Sequence, residues 1–380
     1  MNTIDFHILL SDLSHVYHAE YKRLQAEYQT RRRKGLIASD ESEEQYILTH
    51  ISEILEERKQ SFLEKDAANR VSAILPLFSK ERCSALQKKR YPTGYQRLDE
   101  ALDGGFTEGV HYIGAISSLG KSTFALQMAD QMAARRINVV YISLEMGRED
   151  LVAKLVSLHL FTDVGGDRFS KTATELTSVQ ADAFTNEEWD AVHDAVNALA
   201  SHSEYITIKD ARARGMSVDE ISEYVRNYTQ AYSVAPVVII DYLQIMTPAE
   251  GMERCTDKQV VDYNVAEFRA LAADYNIPVI VISSFNRDSY DSEVTLKSYK
   301  DSGNIEYSSD TLIGLQLQGV GTPGFDANEA KAASVRRVEL VVLKQRYGRS
   351  GYKIGFDFYT RHNYFEEQEA TAAKKVYRIH

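Results

Sequence analysis

The spacing of hydrophobic residues changes character about one quarter of the way along the chain. From about Leu9 to Arg90 apolar side chains recur at helical spacing, which predicts a helical N-terminal module. The positions that carry this period are Leu10, Leu13, Tyr17, Tyr21, Leu24 and Tyr28, then Tyr46, Ile47, Ile51, Ile54 and Leu55. Pro and Gly interrupt the pattern at Tyr91-Pro92-Thr93-Gly94, so the predicted domains are residues 1–90 and 91–380.

Beyond that boundary, short apolar runs alternate with helical segments. This order predicts an α/β fold with a mainly parallel, twisted sheet flanked by helices. The predicted strands are 112–115, 139–143, 205–208, 237–240, 279–283, 311–317 and 338–343. The more open alternation of residues 352–359 suggests an edge hairpin, and the Gly- and Pro-containing run 321–331 predicts a mobile surface loop.

Composition narrows the class of protein. The chain has 380 residues, 44% of them hydrophobic and 26% charged, with a formal net charge of −11. This acidity argues against nonspecific coating of nucleic acid over the whole surface, although it leaves room for a narrow basic channel. No apolar run approaches the roughly 20 residues of a membrane helix, and the N-terminus lacks the order of a secretory signal, so we expect a cytoplasmic protein without membrane contact. Cys83 and Cys255 stand far apart and predict neither a disulfide framework nor a zinc knuckle.

A phosphate-binding loop is predicted where the strand 112–115 meets a helical segment. The run Ala115-Ile-Ser-Ser-Leu-Gly120-Lys121-Ser122 has the P-loop pattern with Ala in place of its first Gly. Successive backbone N–H groups would hold the phosphates of ATP, Lys121 would reach the β- and γ-phosphates, and Ser122 would bind Mg²⁺. The predicted nucleotide-binding residues are Ser117, Ser118, Leu119, Gly120, Lys121, Ser122 and Thr123. The methyl group of Ala115 should be tolerated unless that position requires a positive φ.

Two carboxylates follow strands that would end near this loop. Asp241 ends the apolar run 237–240 and is predicted to orient Mg²⁺ together with Ser122; a structural Asp that caps a turn is the alternative. Glu145 follows the strand after the P-loop helix and could polarise an attacking water. Judged on its position alone, such a Glu is more often the first residue of a helix.

Several separated motifs, in one order, resemble the C-terminal motor domain of DnaB-type replicative helicases, a RecA-like ATPase family. The resemblance extends from about Tyr91 to Phe365. Its motifs are Thr93-Gly94-Tyr95, Ala115 in the P-loop, Ser143-Leu-Glu-Met146, Asn186-Glu-Glu-Trp189, Asp241-Tyr-Leu-Gln-Ile-Met246, Leu271-Ala-Ala-Asp-Tyr-Asn-Ile-Pro278, Asp301-Ser-Gly303-Asn-Ile-Glu306 and Lys344-Gln345-Arg346-Tyr-Gly348.

The resemblance implies roles that the residues alone do not establish. Glu145 would be the catalytic base, Asp241 the metal-side carboxylate, and Lys344 and Arg346 would act in trans on the γ-phosphate held by a neighbouring subunit of a hexameric ring. Without the resemblance, a Lys-x-Arg pair after a strand would be interpreted as a solvated sheet edge. The loop with Lys300, Asp301 and Gly303 would bind single-stranded DNA, with Lys300 standing where the family has Arg, so the charge is kept and the bidentate geometry is lost.

Two departures from the family pattern leave questions open. Ser284 replaces the Gln that usually follows the Ser of the central strand, so coupling between ATP state and DNA binding is expected to be altered. Residues 1–90 do not resemble the usual N-terminal collar; they are a candidate contact for a loader or other replication protein, and contact with primase cannot be inferred.

The leading hypothesis is therefore an ATP-driven, ring-forming DNA helicase or translocase, and the reduced N-terminal region suggests that it serves a phage, plasmid or other mobile replicon. The alternative is a RecA-like DNA-binding ATPase without unwinding activity, such as a loader, recombination accessory or regulatory switch. A structural protein whose P-loop only binds nucleotide is the third hypothesis.

Overall fold

The chain divides into two compact units, Met1–Gln87 and Lys88–His380. The computed structural model of the protein describes residues 18–67, 69–79, 87–286, 292–299 and 302–369. None of the helices within these ranges is long and apolar enough to cross a membrane.

The described part of the first unit consists of helices and short turns. It contains α1 (His18–Arg33), α2 (Glu43–Ala67), the short α3 (Val71–Ile74) and a 3₁₀ turn at Leu75–Phe78. Helices α1 and α2 bury Leu24, Ile47 and Ile51 against each other. The rings of Tyr28 and Tyr46 lie 5.4 Å apart, centroid to centroid. The predicted apolar positions Leu10, Leu13 and Tyr17 lie outside the described residues.

One sheet organises the second unit. Its described strands are β1 (Gly109–Ala115), β2 (Val139–Ser143), β3 (Ile206–Asp210), β4 (Val237–Asp241), β5 (Pro278–Ser284), β6 (Thr311–Leu317), β7 (Val335–Gln345), β8 (Lys353–Tyr359) and β9 (Tyr364–Glu367). They lie in the order β3-β2-β4-β5-β1-β6-β7-β8-β9. Pairing is parallel from β3 to β6 and antiparallel from β6 to β9, which confirms the predicted mainly parallel α/β fold.

Helices connect and cover these strands. They are α4 (Gln96–Ala101), α5 (Lys121–Ala134), α6 (Arg148–His159), α7 (Ala173–Thr177), α8 (Asn186–Ala200), α9 (Val218–Tyr232), α10 (Asp257–Tyr275), α11 (Ser302–Ser308) and α12 (Ala327–Ala332). The apolar strands β1, β2, β4 and β5 are almost wholly buried, because parallel strands with helices on both faces have no solvated side.

Two local expectations needed refinement. Strand β8 pairs with β7 on one side and with β9 on the other, so the hairpin predicted at residues 352–359 continues to Glu367. The run expected to be a loop contains most of α12, because the Asp326 side chain accepts hydrogen bonds from the N–H groups of Asn328 and Glu329 and starts a helix there.

Parallel pairing places the candidate site at the carboxyl ends of the central strands. Ala115 at the end of β1 pairs with Ser284 at the end of β5, and Ser143 of β2 pairs with Asp241 of β4. The carboxyl ends of four neighbouring strands therefore meet where β1 turns into α5, which is where open α/β sheets bind ligands.

Candidate nucleotide-binding site

The predicted P-loop forms the turn from β1 into α5. Ala115 continues the extended strand between Ser284 and Leu315, so its methyl group is accommodated. Gly120 precedes α5 with φ 94° and ψ 21°, a left-handed conformation that favours glycine. A Cβ atom there would lie 2.8 Å from Phe358 and 2.9 Å from Phe365, so the close packing of these rings beneath the loop also requires glycine.

Lys121 folds under the loop that it follows. Its Nζ donates hydrogen bonds to the carbonyl oxygens of Ala115, at 3.2 Å, and Ile116, at 3.1 Å. Burial lowers the pKa of Lys121, and the nearby carboxylates of Asp241 and Glu145 oppose that shift. The ammonium group is thus held by two neutral carbonyls, weaker partners for a cation than phosphate oxygens.

Asp241 lies fully buried at the end of β4. One carboxylate oxygen accepts a hydrogen bond from the Tyr141 hydroxyl at 2.8 Å, while the other, Oδ1, has no hydrogen-bond partner among the described residues. Burial raises the pKa of Asp241, and the neighbouring side chains of Ser122 and Tyr141 counteract the rise. An unpartnered carboxylate oxygen beside a serine hydroxyl is the oxygen donor set that Mg²⁺ prefers, so these two residues fit the predicted metal.

A cavity of about 380 Å³ opens over the P-loop. Of the predicted residues, those that line it are Ser117, Ser118, Gly120, Lys121, Ser122, Thr123 and Glu145. Glu145 is exposed two residues after β2, whereas the side chain of Leu119 is fully buried in the core. Leu119 could therefore contact a nucleotide only through its backbone.

The cavity also contains two cations that the sequence analysis missed. Lys154 reaches it from α6, where burial lowers the pKa of its amine and its Nζ donates to Thr123 Oγ1 at 3.1 Å. Arg336 reaches it from β7, and its Nη1 donates to the Ser118 carbonyl oxygen at 2.8 Å. Lys154 could have been suspected, because it interrupts a buried stripe that carries Leu151, Leu155 and Leu158. Arg336 offers no comparable signal, because it stands beside Arg337 before the predicted strand 338–343, where an arginine is expected to be solvated.

Lys344 and Arg346 lie away from the nucleotide cavity. Lys344 Nζ donates to the carbonyl oxygens of Glu306 and Ser309, the latter at 2.7 Å, and Arg346 pairs with Asp310 at 2.9 Å. Arg346 follows Arg336 by ten positions at the other end of β7. At about 3.3 Å per strand residue, the two side chains leave the strand roughly 30 Å apart. Neither Lys344 nor Arg346 is among the described residues that line the cavity.

The predicted DNA-binding loop is described only in part. Lys300 and Asp301 lie outside the described residues, and Gly303 lies in α11. Just before them, the Tyr299 hydroxyl donates to the carbonyl oxygens of Tyr112, at 3.2 Å, and Ile313, at 2.6 Å. The N-terminal side of the loop is therefore anchored to the two strands β1 and β6.

Ser284 lines the cavity and is hydrogen-bonded through its backbone to Gln244, which lies just after strand β4. The side chain of Gln244, just after β4, accepts a hydrogen bond from the Ser284 N–H at 3.1 Å and donates one to Ser283 Oγ at 2.9 Å. The end of β5 is thus tied to the segment that follows Asp241, although Ser284 itself has a short side chain.

Comparison with known proteins agrees with this architecture. The family model described as "DnaB-like helicase C terminal domain" matches residues 91–367. The chain is 27% identical over 261 residues to "Replicative DNA helicase DnaB" of Leifsonia xyli, covering 68% of this chain and 51% of the relative. It is 25% identical over 282 residues to "Replicative DNA helicase DnaC" of Bacillus subtilis, covering 73% of this chain and 56% of the relative. The chain thus spans about half the length of these curated relatives.

Solved structures show the same fold. One, described as an ATPase domain, superposes with a TM-score of 0.63 at 22% identity, covering 78% of this chain and 98% of that chain. A structure titled "The Structure Of A DnaB-Like Replicative Helicase And Its Interactions With Primase" gives a TM-score of 0.62 at 22% identity, covering 87% and 81%. The family match extends over most of the chain, and the protein belongs to the DnaB-like helicase C-terminal domain family.

Proposed function

We propose that this protein is an ATP-dependent DNA helicase or translocase of the DnaB type, which forms a ring and moves on single-stranded DNA. The observation that carries the proposal is the separation of two groups of residues. Lys121, Ser122 and Glu145 share one cavity, with Asp241 buried near Ser122 beneath it, whereas Lys344 and Arg346 lie at the far end of β7.

The cavity supplies the groups that ATP hydrolysis needs. Glu145 accepts a proton from the attacking water, and Lys121 leaves its two carbonyl partners to stabilise charge on the β- and γ-phosphate oxygens. Mg²⁺, when bound at Ser122 and Asp241, supplies Lewis-acid neutralisation of the phosphate charge. Lys154 adds a second half-buried cation close to Glu145 and Asp241. The phosphorus–oxygen bond to the leaving group breaks as water adds, and the products are ADP and phosphate.

Completion of this site requires a second copy of the chain. Lys344 and Arg346 have the charge to stabilise the transferring phosphoryl group, but β7 holds them roughly 30 Å from Arg336 at the cavity. In a closed, head-to-tail ring each subunit would present them to its neighbour's cavity. We further propose a hexamer, with Lys300, Asp301 and Gly303 directed to a DNA strand in the centre and the N-terminal unit available to a loader or other replication protein.

Strand displacement tests the proposal directly. The full chain, assembled with ATP and Mg²⁺, is expected to displace one strand of a forked DNA duplex, and Lys121→Ala is expected to abolish both displacement and ATP hydrolysis. DNA-stimulated hydrolysis without displacement on any fork polarity would contradict the helicase assignment and support the DNA-binding ATPase without unwinding activity.

A further inference from the structure

A cluster of metal-ligating side chains lies outside the nucleotide cavity. It consists of Asp130 in α5, His159 at the end of α6 and His202 just after α8. Their relative exposures are 5%, 6% and 7%, so all three residues are buried. One ligand atom from each residue can be chosen so that all of these atoms lie within 4.8 Å of one another.

The Nε2 atoms of both imidazole rings face the carboxylate of Asp130. His202 Nε2 lies 2.7 Å from Asp130 Oδ1, and His159 Nε2 lies 3.3 Å from Asp130. Tetrahedral zinc with bonds of about 2.0 to 2.1 Å separates its ligand atoms by about 3.3 Å. The His159 pair already has this separation, and the His202 pair would have to open by roughly half an ångström, a small rotamer adjustment.

The outer nitrogens of both rings are also held. His159 Nδ1 contacts the carboxylate of Asp163, and His202 Nδ1 lies 3.1 Å from the Ser201 hydroxyl. Zinc-bound histidines almost always have such an outer partner, which orients the ring and increases its basicity as a ligand. The carboxylates of Asp130 and Asp163, with two neutral imidazoles, would balance the charge of a divalent cation.

We propose that Asp130, His159 and His202 form a binding site for zinc or a similar divalent transition metal. Three protein ligands leave a fourth position open to water. The site would join the P-loop helix α5 to α6, which carries Lys154, and to the end of α8. It is independent of the proposed helicase activity.

Metal binding by the full, tag-free chain tests this site. After removal of metals with a chelator, the protein is titrated with Zn²⁺ against a chromophoric chelator, and separately with Co²⁺ by visible absorption. Excess Mg²⁺ is present and nucleotide is absent, so that the predicted Mg²⁺ site does not contribute. We expect one Zn²⁺ per chain and Co²⁺ absorption bands typical of four-coordinate nitrogen and oxygen ligands.

Substitutions separate this site from adventitious binding. His159→Gln and His202→Gln keep an amide donor facing Asp130 and are expected to abolish stoichiometric Zn²⁺ binding. His193→Gln, an exposed position on α8, is the matched control and should bind like the wild type. If either cluster variant does not fold, Asp163→Asn keeps the test available, because that side chain is 45% exposed; its Zn²⁺ affinity should fall by about 10- to 100-fold.

Two results would overturn the proposal. One is the absence of stoichiometric Zn²⁺ and Co²⁺ binding to the wild type, which would leave Asp130 as a carboxylate hydrogen-bonded to two histidines. The other is binding that His159→Gln, His202→Gln and Asp163→Asn leave unchanged.

Discussion

Removing the buried hydroxyl of Tyr141 should disturb the candidate Mg²⁺ site at Asp241 without changing the residues that line the nucleotide cavity. The Tyr141 hydroxyl donates to Asp241 at 2.8 Å, and both residues are fully buried. In Tyr141→Phe one carboxylate oxygen loses that donor, while the other already has no partner among the described residues. Tyr141 is not among the described residues that line the cavity, so it acts as a positioning residue for Asp241.

The size of the effect follows from the charge of the acceptor. A hydrogen bond to a charged group contributes about 1.5 to 3 kcal/mol, so the variant should unfold with a free energy lower by about that amount where Asp241 is ionised. Because the bond favours the ionised form of the carboxyl group, its loss raises the pKa of Asp241 further. The pKa of Asp241 should rise rather than fall in the variant, because burial already raises this pKa and the hydrogen bond from Tyr141 counteracts the rise.

The pH dependence of kcat/KM for ATP hydrolysis measures this shift. The ionised carboxylate is the form that binds Mg²⁺, and it is lost as pH falls through the pKa of the folded protein. The acid limb of Tyr141→Phe should therefore lie at higher pH than that of the wild type, with apparent Mg²⁺ affinity reduced. Urea unfolding above that limb gives the loss in stability.

Tyr112 provides a matched control. It is as fully buried as Tyr141, but its hydroxyl has no hydrogen-bond partner in the described part of the chain. Tyr112→Phe should leave the acid limb in place and be neutral or stabilising, because it removes an unsatisfied polar group. The reasoning fails if the two variants behave alike, or if Tyr141→Phe leaves the acid limb where the wild type has it.

Three further variants test individual contacts. Lys154→Met should lower kcat by about 10²- to 10³-fold with little change in nucleotide affinity, because it removes a preorganised cation; an equal loss in affinity would point to simple binding. Arg336→Ala should weaken ATP binding by about 10-fold by releasing the Ser118 carbonyl, whereas Arg337→Ala, at the exposed neighbouring position, should not. Gly120→Ala should lower the free energy of unfolding by about 2 to 5 kcal/mol, from left-handed strain and overpacking. Gly251 has φ 83°, and a Cβ atom added there would meet no heavy atom within 4 Å, so Gly251→Ala should show the backbone strain alone, about 1 to 2 kcal/mol. If Gly120→Ala and Gly251→Ala lower the free energy of urea unfolding equally, the packing argument is refuted.

The strands were predictable because their signal is local. Buried parallel strands are continuous apolar runs, so β2 and β6 have the predicted bounds and β4 extends one residue further, to Asp241. Strand β9 was missed because four residues, Tyr364–Glu367, are too few to show a period. Helix α12 was missed because its first turn depends on the Asp326 side chain rather than on hydrophobic spacing.

The candidate site was predictable only where a motif fixes the chemistry. The residue spacing of the P-loop is imposed by the phosphates that it binds. Asp241 ends the apolar strand β4, whose parallel pairing with β2 brings the carboxylate to the same end of the sheet as the P-loop. Lys154 and Arg336 enter the cavity from distant parts of the chain, on α6 and β7, and their positions depend on tertiary packing. The sequence alone offered no way to see that Gln244, from the segment after β4, reaches the end of β5 near Ser284.

The proposed site between subunits can be tested by mixing two variants that are each expected to be inactive. Glu145→Gln retains Arg346 but lacks the carboxylate proposed to activate water, and Arg346→Ala has the reverse defect. In mixed rings, an interface that combines Glu145 from one copy with Arg346 from the other is complete, so an equal mixture should recover roughly a quarter of wild-type ATP hydrolysis. If fluorescently labelled subunits exchange and the mixture hydrolyses no more ATP than the separate variants, catalysis does not occur at an interface built from both copies.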